Sequence, residues 1–134
     1  MQAEAKDRFA SLVGSESKSS DALPSDYKAP VYKIVLAEGG QEEYDQLMGL
    51  YEYYDGLDSA AERASIYAAA GAPTDLSLKR QTLLWALNDL KLQDFFYPMR
   101  SVAASDRAGA DLAWTFYQEN FEVNRCYMMY YNGL

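Results

Sequence analysis

Apolar residues return every three or four positions along most of the chain, and no run of note alternates with the two-residue period of a strand. Ala5, Phe9, Leu12 and Val13 mark a first helix, and Gly14 is placed to stop it in a left-handed cap. Ser15 to Ala22 is Ser-rich and polar and reads as a loop. Asp26 is placed to cap a second helix whose apolar face is Tyr27, Val31, Ile34 and Val35. Pro30 is assigned to its first turn, where most amides lack an intrahelical partner, and Gly39-Gly40 ends it. The clearest stripe is Tyr44, Leu47, Met48, Tyr51 and Tyr54, closed by Asp55-Gly56. Tyr53 falls off that stripe and is expected at the surface.

The next helix is built of small residues, with Ala60, Ala64, Tyr67 and Ala68 on one side and Gly71 and Pro73 beyond it. Alanine-rich faces let two helices approach closely. Leu83, Leu84, Leu87 and Leu90 mark a fifth helix. Asp94, preceded by Gln93, is read as the cap of a sixth, with Phe95, Phe96, Met99, Val102 and Ala103 inward. The last clear helix starts near Asp106 and carries Ala110, Ala113, Trp114, Tyr117 and Phe121. On that stripe Trp114 is assigned to the core rather than to ligand stacking, while Phe116 lies off it. Short connections make successive helices antiparallel neighbours. The pattern predicts an all-α fold of antiparallel helix pairs and names no repeat class.

Composition narrows the function. The chain has 134 residues, one domain or a piece of one, and 12 Lys and Arg against 20 Asp and Glu. A net charge of -8 repels nucleic-acid phosphates and anionic membrane surfaces, so neither is expected as a partner. No window has the apolar length of a membrane span, and the charged N-terminus has no apolar signal region behind it. The single cysteine, Cys126, makes no internal disulfide and fits a reducing compartment. The absence of histidine leaves Cys126 without a base and leaves zinc with carboxylates alone, a poor donor set. The acidic clusters Glu42-Glu43 and Asp55 to Asp58 sit at helix ends, which accounts for them. No catalytic and no metal-ligating residue is assigned.

Several blocks, in order, carry a family resemblance: Leu23-Pro24-Ser25-Asp26 with Val31-Tyr32 and Val35; Tyr44 to Asp55; Leu92 to Ala104, including Gln93-Asp94; and Ala113-Trp114-Thr115-Phe116 with Asn120. Together they resemble the C-terminal helical domain of the puromycin-sensitive and endoplasmic-reticulum-type zinc aminopeptidases. The resemblance runs from about Glu4 to Glu122, with Phe121 standing where the family has Trp. It implies a HEAT-like, right-handed α-α superhelix, truncated at both ends, with residues 1–122 as part of that domain. Residues 123–134 fit neither the family nor an amphipathic pattern and are set apart as a tail, disordered or an artefact of the gene model. The resemblance implies a non-catalytic fragment of a cytoplasmic enzyme, shaping the chamber where peptide N-termini are trimmed. Its expected partners are the catalytic domain and, in the complete enzyme, peptides. Zinc is held by the absent domain's H-E-x-x-H helix, and no cofactor is expected in this chain. Arg100, the only basic residue inside the Phe95–Ala104 segment, is the one substrate-binding candidate, placed to hold a peptide carboxylate; a solvated surface Arg is the plainer reading. The rivals are a free-standing interaction module offering a concave acidic face to a basic partner, and an inactive truncated gene product.

Overall fold

Seven helices make up the computed structural model, which describes residues 2–15 and 23–132, with side chains through residue 120. They are α1 (Gln2–Gly14), α2 (Ser25–Glu38), α3 (Gln41–Gly56), α4 (Ala60–Ala69), α5 (Leu76–Asp89), α6 (Leu92–Ser105) and α7 (Arg107–Asn132). No strand occurs among the described residues, so the fold is all-α. No helix among them is long and apolar enough to cross a membrane. The tail set apart at 123–134 is helical in backbone to Asn132, and its side chains, with that of Phe121, lie outside the described residues.

Two apolar clusters organise the packing. The larger joins Phe9 and Leu12 of α1, Tyr32, Val35 and Leu36 of α2, Tyr44, Leu47, Leu50 and Tyr54 of α3, and Ile66 and Ala69 of α4. The smaller joins Leu83 of α5, Val102 of α6, and Ala113 and Phe116 of α7. A buried polar relay runs between α3, α4 and α5: the Thr82 hydroxyl donates to the Ala70 carbonyl at 2.7 Å, so the Tyr44 hydroxyl, 2.9 Å away, donates to Thr82.

Several expected positions are rotated, and in each case a specific contact sets the helix phase. On α6 the backbone at Ser101–Val102 presses on Gly71, where a Cβ would lie 2.2 Å from the Val102 nitrogen. That contact turns Phe95, Pro98 and Val102 inward and leaves Phe96 and Ala103 exposed. On α7 Gly109 crosses the same residue from the other side, its Cβ position 2.3 Å from the Val102 carbonyl oxygen. Ala113 and Phe116 therefore face the core, and Trp114 is 62% exposed rather than buried. On α5 the inward set is Leu78, Lys79, Thr82, Leu83 and Ala86, so Leu84 points out. On α2 Lys28 is buried and Tyr27 exposed, because Lys28 pairs with Glu62 of α4 at 2.7 Å. Ala60, Ala64 and Ala68 of α4 are exposed, and it is Ile66, Tyr67 and Ala69 that pack.

Helix ends also differ from expectation. Gly14 is the last residue of α1 without a left-handed backbone. Pro24 occupies the cap position of α2, with Asp26 inside the first turn and Pro30 beyond that turn, within the helix. Asp58, not Gly56, takes the left-handed conformation after α3, with φ 53°. Lys91 precedes α6, so Asp94 lies inside its first turn. Tyr53 is half-buried, its ring edge-on to Tyr54 at 5.5 Å.

Candidate functional site

The exposed alanines of α4 create a groove. Ala60, Ala64 and Ala68 recur every four residues on one helix face, and their small side chains leave space between α2, α4 and α6. The groove has a volume of about 520 Å³. Lys33 of α2 lines one side, and Tyr97, Arg100 and Ser101 of α6 line the other. Arg63, Tyr67 and Asp94 complete it.

Its walls are braced from behind. Ser101 Oγ accepts from the Gly71 amide at 2.9 Å and donates to the Ala68 carbonyl at 2.8 Å, joining α6 to the end of α4. Lys28, 1% exposed, holds α2 to α4 through Glu62 and lies 5.2 Å from the Tyr54 ring centroid. Lys79, fully buried, donates to the Gly71 carbonyl at 2.8 Å and to Ser105 Oγ at 2.7 Å, with Asp106 at 3.5 Å. Asp106 Oδ1 also accepts from the Gly109 amide at 2.6 Å and thereby caps α7. That amide bond, and then the charge of Lys79, hold the Asp106 carboxyl below its ordinary range.

Aromatic rings form the back of the groove. Tyr67 stacks on Tyr97 with centroids 6.1 Å apart and planes 4° from parallel. Trp85 packs edge-on to Tyr51 at 4.9 Å and approaches Tyr67 at 6.0 Å. The Tyr67 hydroxyl donates to Asp94 Oδ2 at 3.4 Å. Burial first, then Tyr51 and Asp94, push the Tyr67 phenol far above its ordinary value, so it remains a neutral donor.

The three cations are not equivalent. Arg63 is committed to the α3–α4 turn, pairing with Asp55 at 3.6 Å and Asp58 at 3.2 Å. Lys33 and Arg100 are exposed, and neither has an ion-pair or hydrogen-bond partner among the described residues. Two uncommitted cations therefore line one groove in a chain of net charge -8. The arrangement suits an anion flanked by apolar or aromatic surface. It offers no nucleophile–base pair, and no group of three His, Cys, Asp or Glu among the described residues could hold a metal ion.

Arg100, the sequence candidate, thus lines the groove, and Asp94 is brought to it as well. Trp114 and the carboxylates at 42–43 are not among its lining residues. Lys33 escaped sequence reasoning because a lone Lys on an amphipathic helix carries no signal of its own. The signal that was present is the four-residue alanine repeat of α4, which marks where space is left.

A family model described as the ERAP1-like C-terminal domain matches residues 1–128, running into the segment 123–134. The alanine/arginine aminopeptidase of Saccharomyces cerevisiae (strain ATCC 204508 / S288c) is 28% identical over 105 residues, which are 78% of this chain and 12% of that protein.

Proposed function

Since the chain belongs to the ERAP1-like C-terminal domain family, we propose that it is a non-catalytic part of a zinc-dependent aminopeptidase, shaping the chamber in which peptide N-termini are trimmed. The reading rests on Lys33 and Arg100, two uncommitted cations on one groove backed by the Tyr67–Tyr97 stack. A peptide's C-terminal carboxylate is an anion attached to an apolar or aromatic side chain, and it matches both features. Arg100 supplies a planar fork for a bidentate contact, and Lys33 a mobile point charge. Holding the far end of a peptide would leave its N-terminus free for the catalytic domain, the partner this reading requires.

Zinc chemistry finds no donor set here, with no histidine in the sequence and no metal-holding cluster among the described residues. On this reading the metal step belongs to another part of the parent. In the longer protein the helix pairs would form part of a HEAT-like, right-handed superhelix, in the cytoplasm.

The test is a side-chain NMR titration of the chain with a peptide bearing a free C-terminal carboxylate and with the same peptide amidated. The Arg100 guanidinium and Lys33 ammonium signals are expected to move with the free acid alone. Arg100→Ala combined with Lys33→Ala is expected to abolish the response. Equal responses to acid and amide, or none to either, would defeat the reading.

A further inference from the structure

Asp94 is the one acidic residue in the lining of the groove between α2, α4 and α6, and binding of a peptide carboxylate gives it no task. The first turn of a helix favours an acidic side chain, which accounts for the residue type but not for its surroundings. Asp94 is half-buried beside the Tyr67–Tyr97 stack. The Tyr67 hydroxyl donates to its Oδ2 at 3.4 Å, a long bond, and no cation pairs with it among the described residues. Arg63, the third cation of the lining, is held by Asp55 and Asp58. A half-buried carboxylate with one long bond has acceptor capacity to spare.

The groove is therefore charged at both ends. Asp94, Tyr97 and Ser101 recur at three and four residues and share one face of α6, with Arg100 beside Ser101. Asp94 and Arg100 are six residues apart, about 9 Å along the helix axis. The Tyr97 ring, 57% exposed, lies between them. A ligand that meets all three carries an anion, an apolar stem and a cation, in that order. The last residue of a peptide ending in Lys or Arg has that order. Six bonds join the carboxylate carbon of a C-terminal Lys to its ammonium nitrogen, about 7 Å when staggered, and the hydrogen bond to Asp94 adds about 3 Å. That reach matches the separation along α6, and an α-amino group, two bonds from its carboxylate, falls well short of it. The methylene stem would lie on the tyrosine surface while its charged head stays polar, and a cation near the ring faces is attracted to them as well.

We propose that this groove selects peptides whose C-terminal residue is Lys or Arg, with Asp94 as the residue that reads the side chain. The inference rests on the carboxylate-binding reading of the same groove and narrows it. An apolar last residue would cover Asp94 without pairing it, and an acidic one would be repelled; both lose binding free energy.

The test is isothermal titration calorimetry of the full chain, at one ionic strength, with peptides of identical composition whose last two residues are norleucine-lysine or lysine-norleucine. The two carry the same charge, so general attraction to a chain of net charge -8 cancels. The peptide ending in Lys is expected to bind about tenfold more tightly, the size of one charge-assisted hydrogen bond. Asp94→Asn keeps an acceptor for the Tyr67 hydroxyl and is expected to abolish the preference. Asp94→Lys is expected to prefer a peptide ending in Glu to one ending in Lys, a gain that a damaged fold does not produce. Equal binding of the two peptides by the parent, a preference that survives Asp94→Asn, or no reversal in Asp94→Lys would each overturn the inference. The amidated form of the Lys-ending peptide separates the two readings. If the free acid binds better than the amide and the place of the Lys is immaterial, only the selection by Asp94 fails. If acid and amide bind alike, the carboxylate-binding reading fails and the inference with it.

Discussion

Replacing Gly71 with Ala places a methyl group where α6 has its backbone. The added Cβ would lie 2.2 Å from the Val102 nitrogen and 2.3 Å from the Ser101 carbonyl carbon, whereas ordinary contact begins near 3.4 Å. About 1.2 Å must be regained by moving a whole helix, because the obstructing atoms are backbone and not the tip of a flexible side chain. The shift also strains the Ser101 bridge from the Gly71 amide to the Ala68 carbonyl. Overpacking of this kind costs about 1–3 kcal/mol and more where relief is blocked, so a loss of about 3 kcal/mol is expected. Gly109→Ala meets the Val102 oxygen at 2.3 Å and should lose stability too, although Ala gains about 1 kcal/mol of helix propensity there. Gly49 is the control. It lies within α3 with nothing inside 4 Å of its Cβ position, so Gly49→Ala should stabilise by about 0.5–1 kcal/mol. Urea unfolding followed in the far ultraviolet reads all three, provided the denaturant slope is unchanged. If Gly71→Ala and Gly49→Ala shift the midpoint alike, α6 does not lie against Gly71 and the packing described above is wrong.

Trp114→Ala should leave the unfolding midpoint within about 0.5 kcal/mol of the parent, whereas Phe116→Ala should cost about 3–5 kcal/mol; the reverse order would restore Trp114 to the core. Lys79→Met should cost about 1–3 kcal/mol by leaving the Gly71 carbonyl and Ser105 without their donor, measured by the same titration. Asp106 and Glu43 are held below the ordinary carboxylate range, chiefly by bonds from the Gly109 and Gly40 amides. Their contribution is therefore complete above the unfolded carboxylate pKa of about 4 and is lost as pH falls through the lower folded values. Asp106→Asn should flatten that acid limb in a pH series of melting temperatures, and an unchanged limb would count against the Asp106–Gly109 cap. The isolated chain should neither hydrolyse aminoacyl reporter substrates nor retain zinc after dialysis; chelator-sensitive turnover with one equivalent of metal, free of host peptidases, would refute this.

Periodicity was enough to read the helices, their order and much of the first core. Phe9, Leu12, Val35, Tyr44, Leu47 and Tyr54 lie where a 3.6-residue repeat places them. What periodicity could not read was rotational phase where a helix touches neighbours on two sides. On α7 both Trp114 and Phe116 continue an apolar pattern, and the choice between them is made by Gly109, through a contact with a residue on another helix. Gly71 decides between Phe95 and Phe96 in the same way, and Lys79 is inward because Ser105 and the Gly71 carbonyl receive it. Half of the candidate site was legible: Arg100 stood out as a cation among apolar residues, while Lys33 acquires meaning only from α6 across the groove.

The groove also lies where the two apolar clusters meet. Its floor, α4, belongs to the larger cluster through Ile66 and Ala69, and its far wall, α6, to the smaller one through Val102. The bonds that cross that boundary gather at the end of α4, where Ser101 meets Gly71 and Ala68, Lys79 meets the Gly71 carbonyl and Thr82 meets the Ala70 carbonyl. A protein with two cores has a natural plane for sub-global opening, at a free energy below that of complete unfolding. The amides of Gly71 and its neighbours in the α4–α5 turn should then exchange with deuterium faster than those of Leu47 or Tyr54 within the larger core. The same excursion moves Arg100 relative to Lys33. The spacing of the two cations is then a distribution, and an anion that bridges them should slow exchange along the whole boundary.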